Sequence, residues 1–222
     1  MNLDPTFLSL SLIILISYLI GSISGGVIIG KIKNTDIRKI GSKSAGATNA
    51  FRAMGFVFAL IVVLIDISKG YFAVEYIPAF FLNENMYNIN QIKILTAFSS
   101  ILGHCYPIFF KFKGGKGVGT ALGTLLAIFP LLYSLIAFGT WFIILILSGY
   151  VGLSSIIAGL SISIIHNILK YNINDPFLQL FGILIGLFFI FTHTDNIKRL
   201  LKREENQFKK IMLFKSFKKW SL

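Results

Sequence analysis

The sequence predicts an all-α integral membrane protein with seven transmembrane helices, its N-terminus outside and its C-terminus in the cytoplasm. Three observations carry that prediction. Of 222 residues, 55% are hydrophobic and the mean hydropathy is +0.77, which is more apolar surface than a soluble domain can bury. Seven apolar segments reach or approach the roughly 20 residues that a helix needs to cross a hydrocarbon core. The formal charge of +12 is gathered into three regions that an odd number of spans places on one side of the membrane, which the excess of Lys and Arg makes the cytoplasmic one.

The segments fall near 6–30, 54–77, 91–110, 117–134, 131–149, 151–170 and 177–193, within a single membrane domain covering 1–222. The opening "MNLDPTFLSLSLIILISYLIGS" lacks the basic start of a secretory signal and reads as the first span. Its end, "GSISGGVIIG", sets Ser22, Gly26 and Gly30 four apart, and Gly21 and Gly25 likewise, a spacing that lets backbones approach closely. The second span holds Asp66 and Lys69 three apart on one helical face, which predicts a structural ion pair, with Glu75 nearer the outer interface. The fourth and fifth segments crowd around Pro130.

Between the spans, the loop 31–52 carries Lys31, Lys33, Arg38, Lys39, Lys43 and Arg52 against Asp36 alone. A turn carries Lys111, Lys113 and Lys116, and from 193 onward nine basic residues face three acidic ones. The connection 78–90 carries only Glu84, and 170–176 carries Lys170 and Asp175. The basic cytoplasmic tail 194–222 ends in "FKKIMLFKSFKKW", where Lys and aromatic residues alternate as in a segment lying on membrane lipid. Because the charge is distributed by membrane side, no nucleic-acid partner is expected. The lone Cys105 rules out an internal disulfide, and no metal or organic cofactor is expected.

Four polar clusters stand out. The first is "DIRKIGSKSAGATNAFR" at 36–52, in which Ser42, Ser44, Thr48 and Asn49 offer hydroxyl and amide groups, Gly41 and Gly46 relax the backbone, and Arg38 and Arg52 supply anion donors. The second is the Asp66–Lys69 step. The third is "GHCYPIFFKFKGGKGVGT" at 103–120, where Gly114, Gly115 and Gly117 flank Lys116 ahead of an apolar run. It lacks the spacing of a Walker loop, but glycine amides, a lysine and a helix start suit an oxyanion. His104, twelve residues before Lys116, fits either this site or a packed, neutral helix end. The fourth is "HTDNIKRLLKREE" at 193–205, with His193, Asn196 and Arg199 spaced three apart. An amphipathic helix end with ordinary surface charge reads equally well there.

Together the clusters resemble the bacterial acyl-phosphate-dependent glycerol-3-phosphate acyltransferases of the inner membrane. That family's three cytoplasmic motifs run D-x-R-x-x-G-S-x-N-x-G-A-T-N-x-x-R, G-H-x-F-P-x-x-x-x-F-x-G-G-K-G-V-A-T and H-x-x-N-I-x-R-L-L-x-G-x-E, with a D-x-x-K-G step that reads "DISKG" here. The chain departs from the pattern at Ser44 (usually Asn), Gly119 (Ala), Arg203 (Gly), Ser24 (often Pro) and Gly152 (Ser), while Glu205 keeps its place.

The resemblance implies a multi-pass protein of the bacterial cytoplasmic (inner) membrane with its active site facing the cytoplasm. The reaction implied is acyl transfer from acyl phosphate to the 1-hydroxyl of glycerol 3-phosphate, giving lysophosphatidic acid and phosphate, the first acylation of phospholipid synthesis. Ser42, Arg52 and Lys116 would then hold phosphate, with amides from Gly114, Gly115 and Gly117. Gly41, Ser44, Gly46, Thr48, Asn49, His104, Thr120 and Arg199 would complete the binding surface. His193 and Asn196 would orient the attacking hydroxyl, the proton going either to a substrate phosphate oxygen or to His193. A functional link to a phosphate acyltransferase follows from the need for an acyl phosphate supply. No H-x-x-x-x-D step is present, since Phe109 follows His104 and Lys198 follows His193 at that spacing, which argues against an acyl-CoA enzyme. A transporter of phosphorylated solutes is the main rival, weakened by polar groups confined to one side and by the lack of paired broken-helix repeats.

Overall fold

A computed structural model describes residues 5–81, 88–170 and 174–213. Glu84 and residues 214–222 of the basic tail, including most of its alternating Lys and aromatic positions, lie outside the described residues.

The first apolar segment is two helices rather than one. Helix α1 (Pro5–Gly21) stops where the Ser22 hydroxyl and amide both turn back to the Tyr18 carbonyl, and α2 (Gly25–Ile32) restarts under a Ser24 cap. The small residues act in packing, as their spacing predicts, although not all against helices. A side chain at Gly21 would strike the Ser100 backbone, whereas one at Gly26 would strike the loop carbonyl of Ala45. A short helix α3 (Ala47–Met54) precedes α4 (Phe56–Phe81), which carries Pro78 in its last turn. Asn88 caps α5 (Ile89–Cys105) by accepting from the Asn90 amide.

The fourth expected span, 117–134, is not one helix: α6 (Val118–Ile128) ends before Pro130, and the next helix takes over at Leu131. Eleven residues rise about 16 Å, half of a hydrocarbon core. Its neighbours explain why so short a helix suffices. Gly119 lies on Asp66, Gly123 on Ile67 and Tyr71, and the Ala127 carbonyl accepts from Lys93, which also pairs with Glu75 at 3.1 Å. Helix α6 therefore runs parallel to the second half of α4. It starts beside Asp66, ten residues or about 15 Å into that helix.

A second compact unit begins at Leu131. It holds α7 (Leu131–Ser148), α8 (Val151–Leu169), α9 (Pro176–Thr192) and α10 (Thr194–Leu201). Asp175 caps α9 and Pro176 opens it, the favoured arrangement for a helix start. Past α10 the chain folds back over the Gly149 turn. Gln207 donates to the Ser148 carbonyl, and the Phe208 and Leu213 amides donate to Gly149 and Ile146. The first part of the expected lipid-facing tail is thus packed onto protein, where it satisfies carbonyls left over at the end of α7.

Five runs among the described residues are long and apolar enough to cross a membrane: Phe7–Ile32, Phe56–Phe81, Ile89–Phe110, Leu131–Ser148 and Val151–Leu169. A sixth exists if α9 and α10, bent by 59° at His193, count as one. Large side chains such as Phe80, Ile168, Leu135 and Leu187 point outward, as a lipid-facing surface requires.

Candidate active site

The loop of 36–46 is built around one asparagine. Asn49, in the first turn of α3, donates to the carbonyls of Ile37, Ile40 and Ser44 at 2.6, 3.0 and 2.9 Å, and its oxygen accepts from the Ser42 amide at 3.0 Å. It is 1% exposed. Asn49 therefore holds the loop in shape, with its amide committed internally rather than offered to a ligand. Gly41, at φ +59°, seats the turn against this amide, where a side chain would meet the Asn49 oxygen. Ser44 accepts from the Gly46 amide, the same local bond an asparagine would make, so this departure from the family pattern is mild. Thr48 and Arg52, four apart on one face of α3, are half-buried.

Arg38 departs from expectation. Its Nε and Nη2 bond Asp36 at 2.9 and 3.1 Å, and Nη1 donates to the Phe110 carbonyl. Its guanidinium is committed to tying loop to turn. The hydrogen bonds from Arg38 hold the Asp36 carboxyl below the usual carboxylate range.

The glycine–lysine turn follows from two successive left-handed residues, Lys111 at φ +58° and Phe112 at φ +57°, which reverse the chain after α5. The Gly114 and Gly115 amides donate to the Cys105 and His104 carbonyls at 3.2 Å. These two amides are therefore spent, and the glycines serve close approach instead. A side chain at Gly114 would strike the His104 carbonyl, and one at Gly115 the His104 ring. Open amides belong to the first turn of α6, which follows its N-cap Gly117, left-handed at φ +86°. Thr120 lies in that turn; its hydroxyl is fully buried and has no hydrogen-bond partner among the described residues.

A backbone bond joins the two clusters as well: the Ala45 amide donates to the Gly114 carbonyl at 3.1 Å. The loop of Ser42 and the turn of Lys116 are thereby stitched side by side. Beneath them the Asp66–Lys69 pair, with Nζ–Oδ1 at 3.0 Å, gains a third member in His104, whose Nδ1 is 3.0 Å from Lys69 and 3.3 Å from Asp66. All three are buried.

In the second unit, His193 sits at the bend between α9 and α10, 3% exposed. Its Nδ1 is 2.9 Å from the Phe189 carbonyl, which can only accept. A proton on Nδ1 would serve that bond, and Thr192 Oγ1 lies 3.3 Å from the same nitrogen. Asn196 packs directly on Gly152 and donates to Glu205 at 2.9 Å, and the other Glu205 oxygen takes Arg199 Nε at 2.6 Å. The Glu205 side chain is 3% exposed. Its role as joint holder of Asn196 and Arg199 was missed from sequence, although its place in the third motif was visible. The Gly119–Gly123 contact with α4 was also missed, and the same four-residue spacing noticed in the first span would have found it.

The fold and these clusters define an integral membrane protein that places cationic and hydroxyl side chains at helix starts and breaks, the setting for handling a phosphorylated molecule at a membrane. The glycerol-3-phosphate acyltransferase family profile matches residues 11–203. Glycerol-3-phosphate acyltransferases of Aquifex aeolicus and Staphylococcus carnosus are 38% and 39% identical, covering 88% and 89% of this chain and 97% of each relative. Crystal structures of PlsY, an integral membrane glycerol 3-phosphate acyltransferase, are similar in both the glycerol 3-phosphate and lysophosphatidic acid forms. Their TM-scores are 0.80 and 0.79, each at 35% identity over 90% of this chain and over 96% and 95% of theirs. The chain belongs to the glycerol-3-phosphate acyltransferase family and is an acyltransferase of the membrane.

Proposed function

We propose that this protein transfers an acyl group from acyl phosphate to the 1-hydroxyl of glycerol 3-phosphate at the cytoplasmic face of a bacterial inner membrane. The observation that carries the reading is the Ala45–Gly114 bond, which sets the Ser42 loop beside the Lys116 turn and the start of α6. Hydroxyl, ammonium and helix-start amides are the groups a phosphate needs. Ser42, Arg52 and Lys116 bind phosphate, and the open amides of α6 with Thr120 complete the lining. His193 and Asn196 orient the hydroxyl.

In the reaction the hydroxyl oxygen attacks the acyl carbonyl carbon. The bond from that carbon to the bridging phosphate oxygen breaks, and phosphate leaves with the electron pair. The hydroxyl proton goes to a phosphate oxygen or to His193. Since acyl phosphate is already activated, positioning and charge neutralisation supply most of the acceleration. Seven passes, with α6 as a short one beside α4, put the loop 31–52, the lysine turn and the C-terminal segment on one side.

The test uses purified protein in lipid, given acyl phosphate with and without glycerol 3-phosphate while phosphate release is followed. Release that needs both substrates and vanishes in Lys116→Ala supports the reading. No release from folded wild-type protein overturns it. His193→Ala separates the proton acceptors: undiminished turnover dismisses His193 as base, while lost turnover with retained binding favours it.

A further inference from the structure

We infer that Asp66, Lys69 and His104 form one positioning unit beneath the glycine turn, and that His104 acts on phosphate binding through Gly115 rather than by contact with substrate. The inference rests on the function proposed above and concerns the same site. His104 is 3% exposed and its Nδ1 faces Lys69 and Asp66. Its other ring nitrogen lies directly under Gly115, in the space that a side chain there would occupy. A histidine enclosed in this way is a floor for the turn.

The other two members extend the floor to the surrounding chain breaks. Lys69 Nζ donates to the Ile23 carbonyl at 2.7 Å, in the gap between α1 and α2 where no helical amide serves it. The Asp66 side chain meets Gly119 in the first turn of α6. The unit therefore touches the α1–α2 break, the end of α5, the Lys116 turn and the start of α6. A buried ion pair is costly to maintain unless each charge keeps its partners, so the three groups hold one another in a single arrangement. That arrangement fixes the height of the turn that presents Lys116.

The experiment measures Kd for glycerol 3-phosphate by calorimetry, together with kcat and KM, for His104→Asn, Gly115→Ala and the double variant, with thermal melts as a check on folding. Asparagine keeps a polar atom facing Lys69 and Asp66 while withdrawing the ring from Gly115. His104→Asn is expected to fold and to weaken glycerol 3-phosphate binding by about tenfold, with a smaller change in kcat. Gly115→Ala is expected to weaken it further, because its methyl group meets the ring. The double variant should bind better than Gly115→Ala alone, since removing the ring makes room for the methyl group. A merely structural role would instead multiply the two losses or move melting temperature alone, and either result overturns the inference, as does an unchanged Kd in His104→Asn. Should His104→Asn fail to fold, Asp66→Asn combined with Lys69→Met, which removes both buried charges together, replaces it: raised Kd supports the positioning role and unchanged Kd overturns it. Binding of glycerol 3-phosphate without turnover of acyl phosphate would sink the donor assignment alone, because Kd still reads the position of the turn.

Discussion

Adding a single methyl group at Gly123 tests whether the contact between α4 and α6 sets the site. A Cβ at this position would fall well inside van der Waals contact with the Ile67 carbonyl oxygen and 2.9 Å from both the Ile67 carbonyl carbon and the Tyr71 amide nitrogen. All three atoms are helix backbone, so no rotamer change relieves the clash, and the helices must part by about 1 Å. Overpacking of that kind costs about 1–3 kcal/mol. Its functional cost is larger, because α6 begins one residue after Gly117 and carries the Lys116 turn with it. A displacement of about 1 Å in a positioning element lowers the rate by about 10²-fold. Gly123→Ala, assayed for kcat/KM and for melting temperature in detergent, should therefore lose activity out of proportion to its modest loss of stability. Gly139→Ala is the control, since a side chain there meets nothing within 4 Å. Gly123→Ala with wild-type kcat/KM would refute the claim that this contact sets the turn.

Three further predictions concern single residues. Arg203 stands where the family pattern has glycine and adopts φ +59°, a conformation that costs a side-chain-bearing residue about 1 kcal/mol or more. Arg203→Gly should raise the melting temperature by about 2 °C, the glycine's greater unfolded-state entropy offsetting part of the gain. Glu205→Ala removes the acceptor of both Asn196 and Arg199; it should cost about 2 kcal/mol in thermal melts and slow turnover. Asp36 has a lowered pKa, so its pairing with Arg38 stabilises the fold above the ordinary carboxylate pKa, near pH 4, and that contribution is lost as pH falls through the lowered value. The stability gap between wild type and Asp36→Asn should be constant from neutral pH to about pH 4 and close below it, in melts across that range.

What the sequence determined follows from chemistry that does not depend on where the chain goes. An apolar composition this high requires a membrane, and intramembrane helices satisfy their own amides whatever their neighbours. The motifs identified the family because residue types and spacing are themselves what the motifs record. The Asp66–Lys69 pair was legible because helical periodicity alone puts residues three apart on one face. Tertiary structure decided how each polar group is used. Asn49, Arg38 and the amides of Gly114 and Gly115 look available in sequence, yet each is satisfied by a carbonyl or carboxylate brought to it by the fold. The length of α6 was hidden for the same reason. Hydropathy records how apolar a segment is, whereas the depth at which α6 starts is fixed by glycine contacts with α4, formed between residues some fifty positions apart in the chain.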